Sequence, residues 1–260
     1  MTPRQIDVRT DGSVAYVTIA RPDVRNAFNA ALIAELRQTF ERLGGDDSVR
    51  AIVLAGEGKV FSAGADVNWM RASLDLSEAE NVEDARLLSL MYRAIDTVPK
   101  VVVGRVHGAA LGGGAGLVAV CDVAIAAEGT LFGFTETKLG ILPAVISPFV
   151  LAKIGASQAR ALMLTGERFD AQRAYRIALV HEVVAEDTLD AAVARITDEV
   201  LSASPSGIAA AKALIREVRA IPHEATLDVT AAAIAKQRIS SEGQEGLRAF
   251  LERRAAEWTS

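Results

Sequence analysis

GAALGGGAGLVAVCD, residues Gly108–Asp122, is the stretch whose reading decides this chain. Five of its first nine residues are glycine, and the rest runs apolar until Asp122. Glycine costs roughly 0.5–1 kcal/mol in a helix relative to alanine, so such a cluster marks a tight turn or a close approach of backbone to a ligand. A dinucleotide turn fits badly. It needs G-x-G-x-x-G and an acidic residue about 20 positions further on, whereas the glycines here are Gly112, Gly113, Gly114 and Gly116 and Asp122 follows too soon. An oxyanion hole fits better: small residues at a helix mouth let a backbone N–H and the helix dipole face a developing negative oxygen. A second small-residue loop, Ala63-Gly64-Ala65-Asp66 within KVFSAGADVNWM (Lys59–Met70), would supply the second donor.

Outward from the cluster the chain alternates strands and helices. QIDVRTDGSVAYVTIA (Gln5–Ala20) reads as a hairpin turning at Asp11-Gly12. Leu32, Ile33, Leu36, Phe40 and Leu43 recur at helical spacing and stop at Gly44-Gly45. RAIVLAG (Arg50–Gly56), KVVVGRVHG (Lys100–Gly108) and CDVAIAAEG (Cys121–Gly129) read as strands, with a long polar helix within Ser77–Asp96. Beyond Asp170 the pattern is almost wholly helical, broken by LVHEVV (Leu179–Val184). The expectation is an α/β fold with a mostly parallel sheet, divided into a core over residues 1–195 and a helical region over 196–260.

The 260 residues are 50% hydrophobic, enough for a large core and too apolar for a disordered chain. A formal net charge of -5 argues against nucleic acid or an anionic membrane as the main partner. The single cysteine, Cys121, excludes an internal disulfide and reads as an inert core thiol. No apolar run reaches the ~20 residues of a membrane span and no signal core opens the chain, so a cytoplasmic protein is expected. The spacing of His107, His181 and His223 gives no metal site.

FSAGADVNWM (Phe61–Met70), GAALGGGAGLVAVCDVAIAAE (Gly108–Glu128) and FGFTETKLGILPAVISPF (Phe132–Phe149) stand in the order and spacing of the enoyl-CoA hydratase/isomerase, or crotonase, superfamily. The resemblance runs from VTIARPDVRNAFN (Val17–Asn29) to EGLRAFLERRAAEW (Glu245–Trp258). It implies a spiral of ββα turns, and a trimer or dimer of trimers held by the helical tail. The ligand it implies is an acyl-CoA thioester, with CoA carried by the substrate and no metal or resident cofactor. Carried over by motif, the backbone N–H groups of Ala65 and Gly113 stabilise the thioester enolate. Arg25, Ala63, Gly64, Asp66 and Val67 line the CoA path, with Gly112 and Gly116 beside the thioester. Trp69 lines the acyl pocket, and Phe250 and Arg253 approach the nucleotide end.

Hydratases of this superfamily use two glutamates, and here the first position is Gly116. That departure leaves Glu136 as the matching acid/base, with Phe134, Leu139 and Ile141 expected to form its apolar wall. Asp66 and Asp122 are weak substitutes for the missing acid. The combination of SAGADVNWM and Gly116 looks most like 3-methylglutaconyl-CoA hydratases of leucine breakdown, with Gly116 making room for a branched acyl group. Lys138, Arg71 and Arg93 are candidate partners for its distal carboxylate. An enoyl-CoA isomerase, or a non-catalytic acyl-CoA-binding protein, is the alternative.

Overall fold

The computed structural model describes residues 4–259, and Met1–Pro3 and Ser260 lie outside it. β1 (Ile6–Asp11) and β2 (Val14–Ile19) form the expected antiparallel hairpin. α1 (Ala30–Gly44) starts where the Asn29 side chain accepts the Leu32 N–H, and it buries Leu32, Ile33, Leu36, Phe40 and Leu43, the stripe read from spacing. β3 (Ala51–Gly56) is buried throughout, as a strand covered on both faces should be. α2 (Val67–Ala72) is short, and α3 (Glu78–Thr97) opens with a capping box between Ser77 and Glu80.

After β4 (Val101–Val106) comes β5 (Ala109–Leu111), then α4 (Gly113–Val120) and β6 (Val123–Ala127). β7 (Leu131–Gly133), α5 (Ser147–Thr165), β8 (Arg168–Asp170), α6 (Ala171–Arg176) and β9 (Glu182–Val184) follow. The tail is α7 (Leu189–Ser202), α8 (Pro205–Ala220), α9 (Thr226–Ile239) and α10 (Ser241–Glu252).

Among the described residues the main sheet runs β1-β2-β3-β4-β6-β9, parallel from β2 onward. One face, through Ile52 and Leu54, joins the large core with α1, α3 and α4. The other, through Val53, Val103 and Ile125, is covered by Leu189 and Val193 of α7. The expected division between residues 195 and 196 falls inside α7, whose later residues Ile196 and Val200 still pack on this second face.

A small second sheet, β5-β7-β8, has no counterpart in the sequence reading. Its strands are three residues each, too short to show a period. α8 and α9 contain no fully buried residue, and α10 only Ala249. No described helix is long and apolar enough to cross a membrane.

Candidate active site

Four separate segments are laced together by backbone hydrogen bonds. Phe28 N–H donates to Gly64 O (2.6 Å) and Asp66 N–H to Phe28 O (2.9 Å), which ties the loop before α1 to the Ala63–Asp66 loop. Ser62 N–H donates to Ala109 O (3.1 Å) and Leu111 N–H to Ser62 O (3.0 Å), which ties that loop to β5. β5 pairs with β7, and Gly112 N–H extends the ladder to Gly133 O at 2.8 Å. Glu136, three residues after β7, is thereby carried to the mouth of α4.

The glycines set how closely these segments meet. A Cβ on Gly64, at φ +88°, would stand 2.7 Å from Leu111 O and 3.4 Å from Gly113 N, so the two small-residue loops are in contact. Gly112, at φ +51° and ψ -121°, turns into α4, and a Cβ there would lie 3.2 Å from Glu136 Oε1. Neither Ala65 N–H nor Gly113 N–H donates to any group among the described residues. Two unspent donors therefore lie on touching loops, one of them at a helix N-terminus.

Glu136 Oε2 is buried without a hydrogen-bond partner. Desolvation raises the pKa of this carboxyl above the ordinary glutamate value. The wall expected around it is only partly right: Phe134 is buried, but Leu139 and Ile141 are more than half exposed. Tyr92 of α3 is fully buried and near enough for the Glu136 charge to act on its phenol, whose hydroxyl donates to Gly113 O at 2.7 Å.

Gly116 differs from expectation. It vacates no room for a branched acyl group, because a Cβ there would meet Ile146 Cγ2 at 2.3 Å and Tyr92 Oη at 3.1 Å. Buried Ile146 occupies the space that a glutamate would use. Gly116→Ala is expected to cost about 1–3 kcal/mol by overpacking, read as a lower Tm. Ile146→Ala in the same chain should recover part of that loss. Strictly additive effects of the two changes would show that this contact does not limit the site.

Other predicted residues fall into place around this centre. Arg25, at φ +56°, accepts the Ala63 N–H on its carbonyl (2.9 Å) and lines a cavity of about 750 Å³ with Ala63, Leu111, Leu131, Lys59 and Arg168. Lys59 and Arg168 were not singled out from the sequence, since isolated basic residues carry no motif. Buried Asn26 was missed as well; its side-chain amide donates to Glu57 O and Val60 O, both at 2.8 Å, and shapes this loop.

Asp66 caps α2 by accepting the Asn68 N–H (2.8 Å) and pairs with Arg21 at 3.0 Å. Burial alone would raise its pKa; those two partners outweigh it and hold the carboxyl below the usual range. Those partners tie the Asp66 carboxylate into the α2 cap. Asp122 is likewise committed, accepting from Val102 N–H (2.8 Å) and Lys212 Nζ (2.6 Å). Val67 is exposed at the start of α2, and Trp69 ties α2 to α3 through Nε1 to Asp84 at 3.3 Å.

Phe250 and Arg253 are not brought to the cavity: α10 packs on α8 and α9, and Phe250 is 82% exposed. Arg93 lies instead in a groove between α1 and α3. His107 is buried and bonded through Nε2 to Gly58 O at 2.8 Å, a structural histidine. Burial pushes the Cys121 thiol up to about 12, as befits an inert core cysteine. No cluster of metal-ligating side chains occurs among the described residues.

A backbone cradle built from two small-residue loops on a spiral α/β frame defines the class. Residues 9–260 match the enoyl-CoA hydratase/isomerase family, and the chain belongs to it. A solved structure from Shewanella pealeana, described as an enoyl-CoA hydratase, is similar at 41% identity with a TM-score of 0.95, over 98% of this chain and 96% of its own. AtuE of Pseudomonas aeruginosa is similar at 37% identity with a TM-score of 0.95, over 99% and 100%. The crotonyl-CoA hydratase of Syntrophomonas wolfei is 31% identical over the full length of both chains.

Proposed function

We propose that the protein is an enoyl-CoA hydratase that reversibly adds water to 3-methylglutaconyl-CoA or a close enoyl thioester. The observation that carries this reading is the desolvated Glu136 carboxylate, one oxygen unpartnered, lying against Gly112 at the mouth of α4. In the proposed reaction Ala65 N–H and Gly113 N–H hold the thioester oxygen. Glu136 takes a proton from water as the water oxygen bonds to the β-carbon, and the π electrons move onto the thioester oxygen as an enolate. Glu136 then returns the proton to the α-carbon, so one carboxylate serves both transfers.

CoA arrives as part of the substrate. Arg25, Lys59 and Arg168 around the 750 Å³ cavity are suited to its phosphates, with Ala63, Asp66 and Val67 along the pantetheine path and Trp69 toward the acyl group. Assembly as a trimer or dimer of trimers belongs to the same reading. Leu227, Ile239, Phe250 and Leu251 are each more than 70% exposed on one chain, and an apolar face of that kind favours a neighbouring copy. Phe250 and Arg253 would then meet a nucleotide only across that contact.

The branched substrate is favoured by the SAGADVNWM motif and by the absence of a carboxylate at position 116, rather than by free space there. That same single carboxylate supports a second reading, double-bond isomerisation. Loss of enoyl-thioester absorbance on 3-methylglutaconyl-CoA and crotonyl-CoA, with product mass read afterwards, tests the choice. Gain of one water, strongest on the branched substrate, is the expected result. Preference for crotonyl-CoA overturns the branched substrate, an unchanged product mass with a moved double bond identifies an isomerase, and binding without turnover identifies a carrier.

A further inference from the structure

We propose that Tyr92 is a positioning residue of the oxyanion hole, its hydroxyl holding the Gly113 carbonyl and so the peptide next to the one that presents the Gly113 N–H. The inference rests on the hydratase reading and deepens it. Gly112, Gly113 and Gly114 form a run with no side chains to hold it, so the direction of the Gly113 N–H depends on what anchors the backbone to either side. Ahead of it, Gly112 N–H is tied to Gly133 O at 2.8 Å; behind it, Tyr92 Oη donates to Gly113 O at 2.7 Å. The Gly112–Gly113 peptide that carries the donor is itself tied by Gly116 N–H to Gly112 O at 3.1 Å, and the peptides on either side of it are held by the small sheet and by α3.

Tyr92 is itself packed on every side. It is fully buried, packs edge-on to Phe28 (ring centroids 6.4 Å) and is tilted against Phe149 (5.9 Å). Phe28 closes on the same turn, since a Cβ on Gly113 would meet its ring at 2.7 Å and Tyr92 Oη at 2.9 Å. The phenol oxygen also lies 3.1 Å from a Cβ built on Gly116. Burial, with the Glu136 charge adding to it, pushes its pKa up, so the hydroxyl keeps its proton and acts as a fixed donor rather than a base.

The test uses Tyr92→Phe, which keeps the ring, and reads carbonyl polarisation directly. Hexadienoyl-CoA bound to a working oxyanion hole absorbs at longer wavelength than the free thioester, because the donors draw electrons toward the carbonyl oxygen. In a Glu136→Gln background, which slows turnover, the red shift should survive; adding Tyr92→Phe should remove most of it. In steady state Tyr92→Phe should lower kcat about 10- to 100-fold by misplacing the donor, with KM changed far less. Replacement of Tyr92 by p-aminophenylalanine, whose N–H donor stands where the phenol oxygen does, is the second variant and should restore part of the shift.

A full red shift and full kcat in folded Tyr92→Phe, whatever its Tm, overturn this inference alone. Absence of any red shift in the Glu136→Gln protein with bound hexadienoyl-CoA overturns the hydratase reading itself.

Discussion

Glu136→Gln is expected to lower kcat by about 10²- to 10⁴-fold, the range for loss of a positioned acid/base, while acyl-CoA binding stays within a few-fold. The carboxamide keeps the shape beside Gly112 but cannot cycle a proton between water and the α-carbon. The wild type carries a pH signature of the same group. Its folded-state pKa is raised by desolvation, and the proposed reaction begins with the carboxylate taking a proton, so kcat/KM should climb with pH through a midpoint above the ordinary glutamate value.

Stability should move the opposite way. A carboxyl whose folded pKa exceeds its unfolded one contributes stability that is present below the unfolded pKa and lost as pH rises through the folded pKa. The Tm of Glu136→Gln relative to wild type should therefore increase across that window. Retained turnover in Glu136→Gln would remove Glu136 from the mechanism, and a relative Tm independent of pH would contradict its desolvation.

Gly64→Ala should damage fold and site together. A side chain at φ +88° costs about 1–2 kcal/mol in backbone strain, and a Cβ only 2.7 Å from Leu111 O adds roughly 1–3 kcal/mol of overpacking. At about 2–4 °C per kcal/mol for a chain of this size, the Tm should fall by on the order of 5–15 °C. Because the clash at 2.7 Å is with Leu111 O, two residues before Gly113, relieving it would drive the two loops and their donors apart. A kcat loss of about 10²- to 10³-fold is expected even where the variant is fully folded, the scale for losing one oxyanion donor. A folded Gly64→Ala protein with wild-type kcat would show that the contact between the two loops is not what sets the donors.

Much of the frame was legible along the chain. The stripe from Leu32 to Leu43 and the buried run from Ala51 to Gly56 appear where periodicity placed them, because long elements repeat their pattern often enough to be read. The Gly112–Gly116 cluster and the Ala63–Asp66 loop were legible for another reason. Glycine at a close approach is a local signal, since the missing Cβ matters wherever backbone meets backbone. Glu136 was reachable through motif, yet nothing near it in sequence shows what desolvates it. Leu139 and Ile141, its apolar neighbours along the chain, turn outward.

Tyr92, Ile146, Lys59 and Arg168 were not legible as site residues. Each sits on an ordinary element and gains its meaning from a partner distant in sequence: Tyr92 from Gly113, Ile146 from Gly116, and the two cations from the cavity they share with Arg25. The sequence by itself determined the α/β class, the family, and the two bare-backbone loops, because those rest on local periodicity and on where side chains are missing. Only the tertiary structure decided that three-residue strands bring Glu136 to the helix mouth, that Ile146 closes the side left open by Gly116, and that a tyrosine from α3 holds the glycine turn. Those outcomes depend on which distant segments pack together, and packing at ångström distances leaves no period in a chain.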